Sequence, residues 1–394
     1  MVVLITDGME DEGLLVLKEE GISYDLKKLK PDELLKEIGN YDALIVRSAT
    51  KVTKDVLASG AEGRLKIVGR AGVGYDNVDV DSASAVGIVV AYAPHGNTNA
   101  TAEMALALML GIARNIPQSY YSLKNSVWVK KTYQGAELEG KKLGIIGCGR
   151  IGRKLARKAK HGMDMDVLGY DLVTNDEAAI KFVPFDYLIS NSDFISIHAG
   201  GGKKPIIGKE ELEKMKNTAY LINTSRGKNV DEEAVYNALK EKRIAGAAFD
   251  VFQKEGKEGE EFLNKLFELP NFIGTSHLGA STDEAQAKTG KEMASVIVKY
   301  LKYGEFMNAV NIGDEIVAEE KKPLNFVYIM HENAPGMFAK ITGTFGKYNI
   351  NIEEMPSRHI DGNKVYTAVG ISSVAEELLL AELKSTEGIC RVTY

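Results

Sequence analysis

Cysteine is nearly absent from this chain: Cys148 and Cys390 are the two in 394 residues. Two thiols build neither a disulfide framework nor a four-thiolate metal site, so no metal centre is expected and a reducing, cytoplasmic setting is. A basic start with a small-residue cleavage site is also missing, since the N-terminal MVVLITDGMEDEG runs apolar and then acidic; no targeting segment is expected. Long apolar runs are lacking as well. The longest, around residues 104–113, falls far short of the roughly 18 needed to suggest a membrane span. Nor is there an excess of positive charge: 49 Lys and Arg against 55 Asp and Glu leave a net charge of −6 and a pI near 5.7. Nucleic acid and membrane are therefore not expected as partners. What is present is ordinary globular material, 44% hydrophobic and 26% charged, with enough length for two or three domains at roughly 100–200 residues each.

Short β-branched runs (VVLIT, ALIVRS, LKIVG, GIVVAYA) alternate with amphipathic stretches at 32–38 and 53–59. That rhythm implies βαβ units and a parallel sheet. It returns after Gly140 in KLGIIG, DVLGYD, FISIH, AYLINTS, AGAAFDVF and FIGTS, with helical patterns at 150–161, 209–215 and 231–242. Two long helices are expected at 98–113 and 282–301, each long enough to cross between lobes. The reading is thus of two Rossmann- or flavodoxin-like parallel-sheet domains, one discontinuous: residues 1–97 with 282–312, and residues 98–281. Charged residues 313–323 read as an exposed linker. Residues 324–394 read strand, helix, strand, turn at Asp361-Gly362, strand, helix, strand, the ferredoxin-like βαββαβ order. An RNA-binding version of that module is disfavoured, because NFVYIM lacks the expected aromatic and basic pattern.

Gly147-Cys148-Gly149-Arg150-Ile151-Gly152 follows the strand KLGII and opens a basic helix. The first glycine permits a tight turn, the second lets backbone approach a diphosphate, and the third lets helix pack on strand. Asp171 ends the next strand, 19 residues after Gly152, where a carboxylate accepts hydrogen bonds from ribose hydroxyls and repels a 2′-phosphate. NAD is favoured over NADP. Arg226, Asp250, Glu255 and His277 all follow strands, and ligand crevices in open α/β sheets lie beyond the carboxyl ends of strands. A guanidinium at Arg226 suits a carboxylate. Taken singly, each has a plainer reading: His277 as a helix cap, Arg226 in a surface ion pair, Glu255 within a solvated charge run. Together they point to one site.

IVRSATKVT, VGRAGVGYDNVD, TAEMALALML, ELEGKKLGIIGCGRIG, LINTSRG, AAFDVFQKE and TSHLGAST stand in this order along the chain. In them the chain resembles the D-2-hydroxyacid dehydrogenases over almost its whole length, and the motifs RSATKV and GRAGVG resemble the phosphoglycerate branch. The resemblance implies NAD-dependent oxidation of 3-phospho-D-glycerate to 3-phosphooxypyruvate, the first step of L-serine synthesis. It implies His277 as acid/base, Glu255 as its orienting partner and Arg226 as carboxylate anchor. It places Arg150 and Ile151 on the diphosphate, Asp250 near the nicotinamide carboxamide, and Thr224, Ser225, Gly279 and Ala280 in the cofactor pocket. Arg47, Ser48, Thr50, Arg70, Gly74 and Asn97 fall at substrate positions. Lys130 adds a charge from a neighbouring subunit of a homodimer or homotetramer, where many relatives carry Arg. The loop AGGGKKP after His198 departs from the family pattern, so no contact is carried over there.

HENAPG at 331–336 with NINI at 349–352 resembles the ACT signature of amino-acid-binding regulatory modules. By that resemblance His331, Asn333 and Asn351 are effector residues, with L-serine as effector. Carboxamides suit a zwitterion because they both donate and accept. Plainer roles for the asparagines are a helix start and a turn. Alternatives for the whole chain are another D-2-hydroxyacid dehydrogenase or 2-keto acid reductase (hydroxypyruvate, glyoxylate or 2-oxoglutarate), or an NAD-sensing regulatory protein on the same fold. A pure sensor has no need of a proton-transfer pair.

Overall fold

The structure is a computed structural model that describes residues 1–173, 177–256, 259–312, 324–360 and 363–394. The expected linker at 313–323 and the expected turn at Asp361-Gly362 lie outside the described residues. Among the described residues no helix is long and apolar enough to cross a membrane, and no cluster of side chains suits a metal ion. The chain clusters into two units, Met1–Gly96 with Gln286–Tyr394, and Asn97–Ala285.

The first unit holds a five-stranded parallel sheet in the spatial order Ser23–Leu26, Val2–Ile5, Ala43–Val46, Ile67–Arg70, Val89–Tyr92. This is the flavodoxin-like order. Its central strands are buried along their length, as ALIV at 43–46 shows, which is why they read as continuous apolar runs and not as alternation. Two helices start on side-chain caps: Thr53 accepts from Val56 N and Asp79 from Ser82 N. Helices Asp11–Glu19 and Asp283–Tyr303 approach closely at glycines. A Cβ on Gly13 would lie 2.8 Å from the Gly290 carbonyl carbon.

The same unit contains the antiparallel sheet of the C-terminal module, in the order Ile352–Glu354, Lys364–Ile371, Asn325–Glu332, Ile389–Thr393, with Ser357–His359 also on Lys364–Ile371. The second strand of the βαββαβ pattern is thus split. Pro356 stands at the break and cannot donate to the ladder, though its carbonyl still accepts from Ala368 N. One sheet face packs on helices Met337–Lys347 and Glu377–Ser385. The other carries Phe326, Tyr328, Met330, Tyr366 and Ala368, which share one buried core with Ile45, Val89, Met293, Ile297, Tyr300 and Phe306 of the first lobe.

The second unit is a seven-stranded parallel sheet ordered Phe272–Gly274, Gly246–Phe249, Tyr220–Asn223, Phe194–Ile197, Lys142–Ile146, Asp166–Tyr170, Lys181–Phe182. Chain order reverses between Lys142–Ile146 and Phe194–Ile197, the doubly wound topology whose ligand crevice opens at that switch point. Helix Thr98–Ala113 is apolar over most of its length and buries Ala102, Ala105, Leu108, Met109 and Ile112, as a core helix should. Helix Arg150–Gly162 buries Gly152, Leu155, Ala156 and Ala159 at helical spacing and turns its Arg and Lys residues outward.

Candidate active site

The glycine turn lies at the switch point of the second unit. Gly147 has φ +91°, and a Cβ there would stand 2.7 Å from the carbonyl carbon of His198 and from Ala199 N. Gly152 brings its helix so close to the turn that a Cβ would meet Gly147 O at 2.2 Å. Gly149 is different: a Cβ there would meet nothing within 4 Å, so the space beside this backbone, at the N-terminus of helix Arg150–Gly162, is open. Asp171 accepts from Cys148 N at 2.6 Å, which ties the acid to the turn. The buried hydroxyl of Thr224 has no hydrogen-bond partner among the described residues, and a buried hydroxyl left unpaired marks a place where a ligand group is wanted. Ser225 donates its hydroxyl to Asn223 Oδ1 at 2.8 Å and accepts from Asn229 Nδ2 at 3.0 Å. These features fit a dinucleotide. Arg150 is exposed at the first helical position and Ile151 half-buried beside it.

On the same unit, His277 Nδ1 hydrogen-bonds Glu255 Oε2 at 2.9 Å. The imidazole is held above its ordinary value first by that hydrogen bond, against desolvation, and further by the charges of Glu255 and Asp250. Burial pushes the Glu255 carboxyl up, but the His277 hydrogen bond and charge outweigh it and hold the carboxyl below its usual range. His277 has φ +56°, a left-handed conformation costly for a non-glycine residue. Asp250 maintains it. This buried carboxylate accepts from Thr275 Oγ1 at 2.6 Å, Leu278 N at 2.8 Å and Gly279 N at 2.8 Å, while its backbone carbonyl accepts from His277 N at 2.9 Å. The helix after the loop begins on Thr282, whose hydroxyl accepts from Ala285 N at 3.2 Å; His277 is not its cap. Arg226 follows strand Tyr220–Asn223, donates to Ser225 O at 2.8 Å, and contributes to the titration of both His277 and Glu255. Ala280 O accepts from Thr282 N at 3.0 Å within the same loop. Asn97 has a buried Oδ1 without a hydrogen-bond partner among the described residues, and Lys130 is exposed.

Arg47, Ser48, Thr50, Arg70 and Gly74 lie on the first unit, at or just beyond the carboxyl ends of strands Ala43–Val46 and Ile67–Arg70. Asp7, not singled out in the sequence, organises this loop: it accepts from Arg47 N at 2.8 Å, Thr50 N at 3.0 Å and Thr50 Oγ1 at 2.6 Å. Arg47 is ion-paired with Glu10, and Ser48 is exposed. Arg70 donates to Ala71 O at 3.3 Å. An acid following the first strand of a flavodoxin-order sheet was the available signal for Asp7 and Glu10. In the C-terminal module His331 is buried, with Nδ1 against Glu332 O at 2.8 Å and Nε2 against Thr367 Oγ1 at 3.0 Å; desolvation holds it below its ordinary value. Asn333 is exposed at the turn, and Asn351 donates to Glu353 Oε1 at 3.0 Å. A further unanticipated group is His198, which pairs with Ser196 Oγ at 2.8 Å and is pushed down to about 4 by burial.

Residues 106–279 match the model of the D-isomer specific 2-hydroxyacid dehydrogenase NAD-binding domain. A hydroxypyruvate reductase of Thermotoga maritima is 39% identical over 303 residues, covering 76% of this chain and 98% of that protein. The chain belongs to the D-isomer specific 2-hydroxyacid dehydrogenases. A D-3-phosphoglycerate dehydrogenase of Archaeoglobus fulgidus is 42% identical over 319 residues, 79% of this chain. The chain spans 59% of that relative's length. Among solved structures, an acyclic imino acid reductase in complex with NADPH and D-Arg superposes with a TM-score of 0.70 at 27% identity, over 79% of this chain and all of that one. The matched domain is the NAD-binding domain of this family.

Proposed function

We propose that the chain oxidises 3-phospho-D-glycerate to 3-phosphooxypyruvate with NAD, the first step of L-serine biosynthesis. The observation that carries the redox reading is the 2.9 Å hydrogen bond from His277 Nδ1 to Glu255 Oε2. With Nδ1–H donated to Glu255, the Nε2 lone pair is the acceptor for the C2 hydroxyl proton, and the carboxylate stabilises the imidazolium that forms. Arg226 holds the substrate carboxylate through its fork of donors. A bound nicotinamide supplies the hydride acceptor. Gly147, Gly149, Arg150, Ile151 and Gly152 would hold its diphosphate and Asp171 the ribose, with NAD preferred over NADP because a carboxylate repels a 2′-phosphate. Thr224, Ser225, Asp250, Gly279 and Ala280 complete the cofactor pocket. Residues 98–281 are on this reading the NAD-binding domain, and residues 1–97 with 282–312 the substrate domain.

The phosphorylated substrate is supported by the D-3-phosphoglycerate dehydrogenases among the relatives and by two cations, Arg47 and Arg70, on adjacent strand ends. Ser48, Thr50, Gly74 and Asn97 join them, with Lys130 acting across a homodimer or homotetramer interface. Residues 324–394 serve as an ACT regulatory domain for L-serine, contacted by Asn333 and Asn351, with His331 bracing the turn through its two internal hydrogen bonds. Two free thiols, Cys148 and Cys390, accord with a cytoplasmic enzyme. A second reading, reduction of unphosphorylated 2-keto acids, is favoured by the 98% coverage of the T. maritima hydroxypyruvate reductase. The test is NADH formation from 3-phosphoglycerate, D-glycerate and D-lactate, repeated with NADP and with L-serine added to wild type and Asn333→Ala. The first reading expects the highest kcat/KM with 3-phosphoglycerate and NAD, and serine inhibition weakened in the variant. A higher kcat/KM with D-glycerate selects the second.

A further inference from the structure

We propose that Glu10 is the counter-ion that Arg47 exchanges for the anionic tail of the substrate, and that it thereby sets how strongly a phosphorylated 2-hydroxy acid is preferred over an unphosphorylated one. This rests on the reading that Arg47 meets the substrate phosphate. Glu10 occupies the N-cap of helix Asp11–Glu19, yet its side chain makes no cap hydrogen bond. Glutamate is not a preferred N-cap residue; here the carboxylate turns to the Arg47 guanidinium instead. The placement is constrained from behind. Helix Asp283–Tyr303 passes so close that a Cβ on Gly290 would stand 3.6 Å from Glu10 Oε2.

Asp7 and Glu10 divide the work on this loop. Asp7 is consumed by the backbone amides of Arg47 and Thr50 and the Thr50 hydroxyl, so it shapes the loop and does not neutralise the guanidinium. Glu10 touches only the charged end. Both members of the pair are partly exposed, 23% for the Arg47 side chain and 31% for Glu10, and an ion pair open to water is weak and readily exchanged. A phosphate brings up to two negative charges and three acceptor oxygens, and it outcompetes one carboxylate for a guanidinium. A neutral hydroxymethyl tail has nothing to exchange. The carboxylate that remains beside the anion then repels it. Glu10 therefore opposes binding of the phosphorylated substrate specifically.

Steady-state kinetics of Glu10→Gln, with inorganic phosphate as a competitive inhibitor, test this. The expected result is a KM for 3-phosphoglycerate and a Ki for phosphate both lowered about threefold to tenfold, with the KM for D-glycerate unmoved. A KM for 3-phosphoglycerate that is unchanged or raised in Glu10→Gln, while Arg47→Ala raises it, overturns the role of Glu10 and leaves the Arg47 reading standing. An Arg47→Ala variant with unaltered KM and Ki overturns both. A thermal melt of each variant confirms that the lobe is folded.

Discussion

A hydrogen bond of 2.9 Å between His277 Nδ1 and Glu255 Oε2 decides what this imidazole can do. Because Glu255 raises the His277 pKa, the proposed oxidation, which would need neutral His277, should gain rate only as pH climbs through that raised value. Replacing Glu255 with Gln removes the stabilised imidazolium, so the rising limb of kcat/KM should move to lower pH while its plateau falls about 10²-fold. A pH profile of the variant checks both; a limb at or above the wild-type position contradicts the assignment. The members of this site were legible in the sequence because His277, Glu255, Arg226 and Asp250 all follow strands of one parallel sheet. The work of Asp250 was not. Its three hydrogen bonds to Thr275, Leu278 and Gly279 hold a left-handed His277 in place, and backbone strain leaves no mark in residue type when the strained residue is a histidine. Asp7 and Glu10 escaped for a related reason: in DGMEDEG they look like solvated charge.

At the scale of elements, the glycine turn shows three glycines kept for three reasons. Gly147 needs positive φ and Gly152 needs the close approach of a helix, but Gly149 faces open space. Gly149→Ala should therefore leave the melting temperature within about two degrees of wild type, a surface-like effect, while weakening NADH binding about tenfold or more by filling the space proposed for the diphosphate. Fluorescence titration of NADH beside a thermal melt separates the two effects, and an unaltered Kd would remove the turn from the cofactor site. Strands were the more legible elements, since buried parallel strands read as β-branched runs. Helices Asp11–Glu19, Ile116–Lys124 and Phe185–Asn191 were not anticipated. They are short, and helix Ile116–Lys124 is set off from Thr98–Ala113 by just Arg114 and Asn115, the latter at φ +52°, with a proline at its start, so local propensity gives them little signal against packing.

At the scale of the molecule, the C-terminal module and the first lobe form a single core. Tyr300 stacks on Tyr328 at 4.8 Å, Tyr300 and Tyr366 share a hydroxyl hydrogen bond of 2.7 Å, and Lys66 lies 5.9 Å from the Tyr328 ring centre. Arg391 donates to the carbonyls of Val86, Gly87, Ala61 and Leu65, which lie at the carboxyl ends of helices Val80–Ala85 and Lys54–Glu62, where a cation opposes the helix dipole. A pattern of elements along the chain does not name the partner in such a shared core: strands Asn325–Glu332 and Lys364–Ile371 are buried along their length, which marks a sheet covered on both faces without saying by what. Arg391→Ala should cost about 3 kcal/mol, the scale for leaving several buried acceptors unpaired. Urea unfolding should show the module and lobe lost together; a separate early transition for the module would contradict the shared core. The central claim, that His277 takes the proton as hydride leaves a 2-hydroxy acid, is tested most directly by single-turnover NADH formation from 3-phosphoglycerate in wild type and His277→Ala at saturating NAD. The account predicts a rate lowered about 10²- to 10⁴-fold with NADH affinity kept; a His277→Ala variant that forms NADH at the wild-type rate would contradict it.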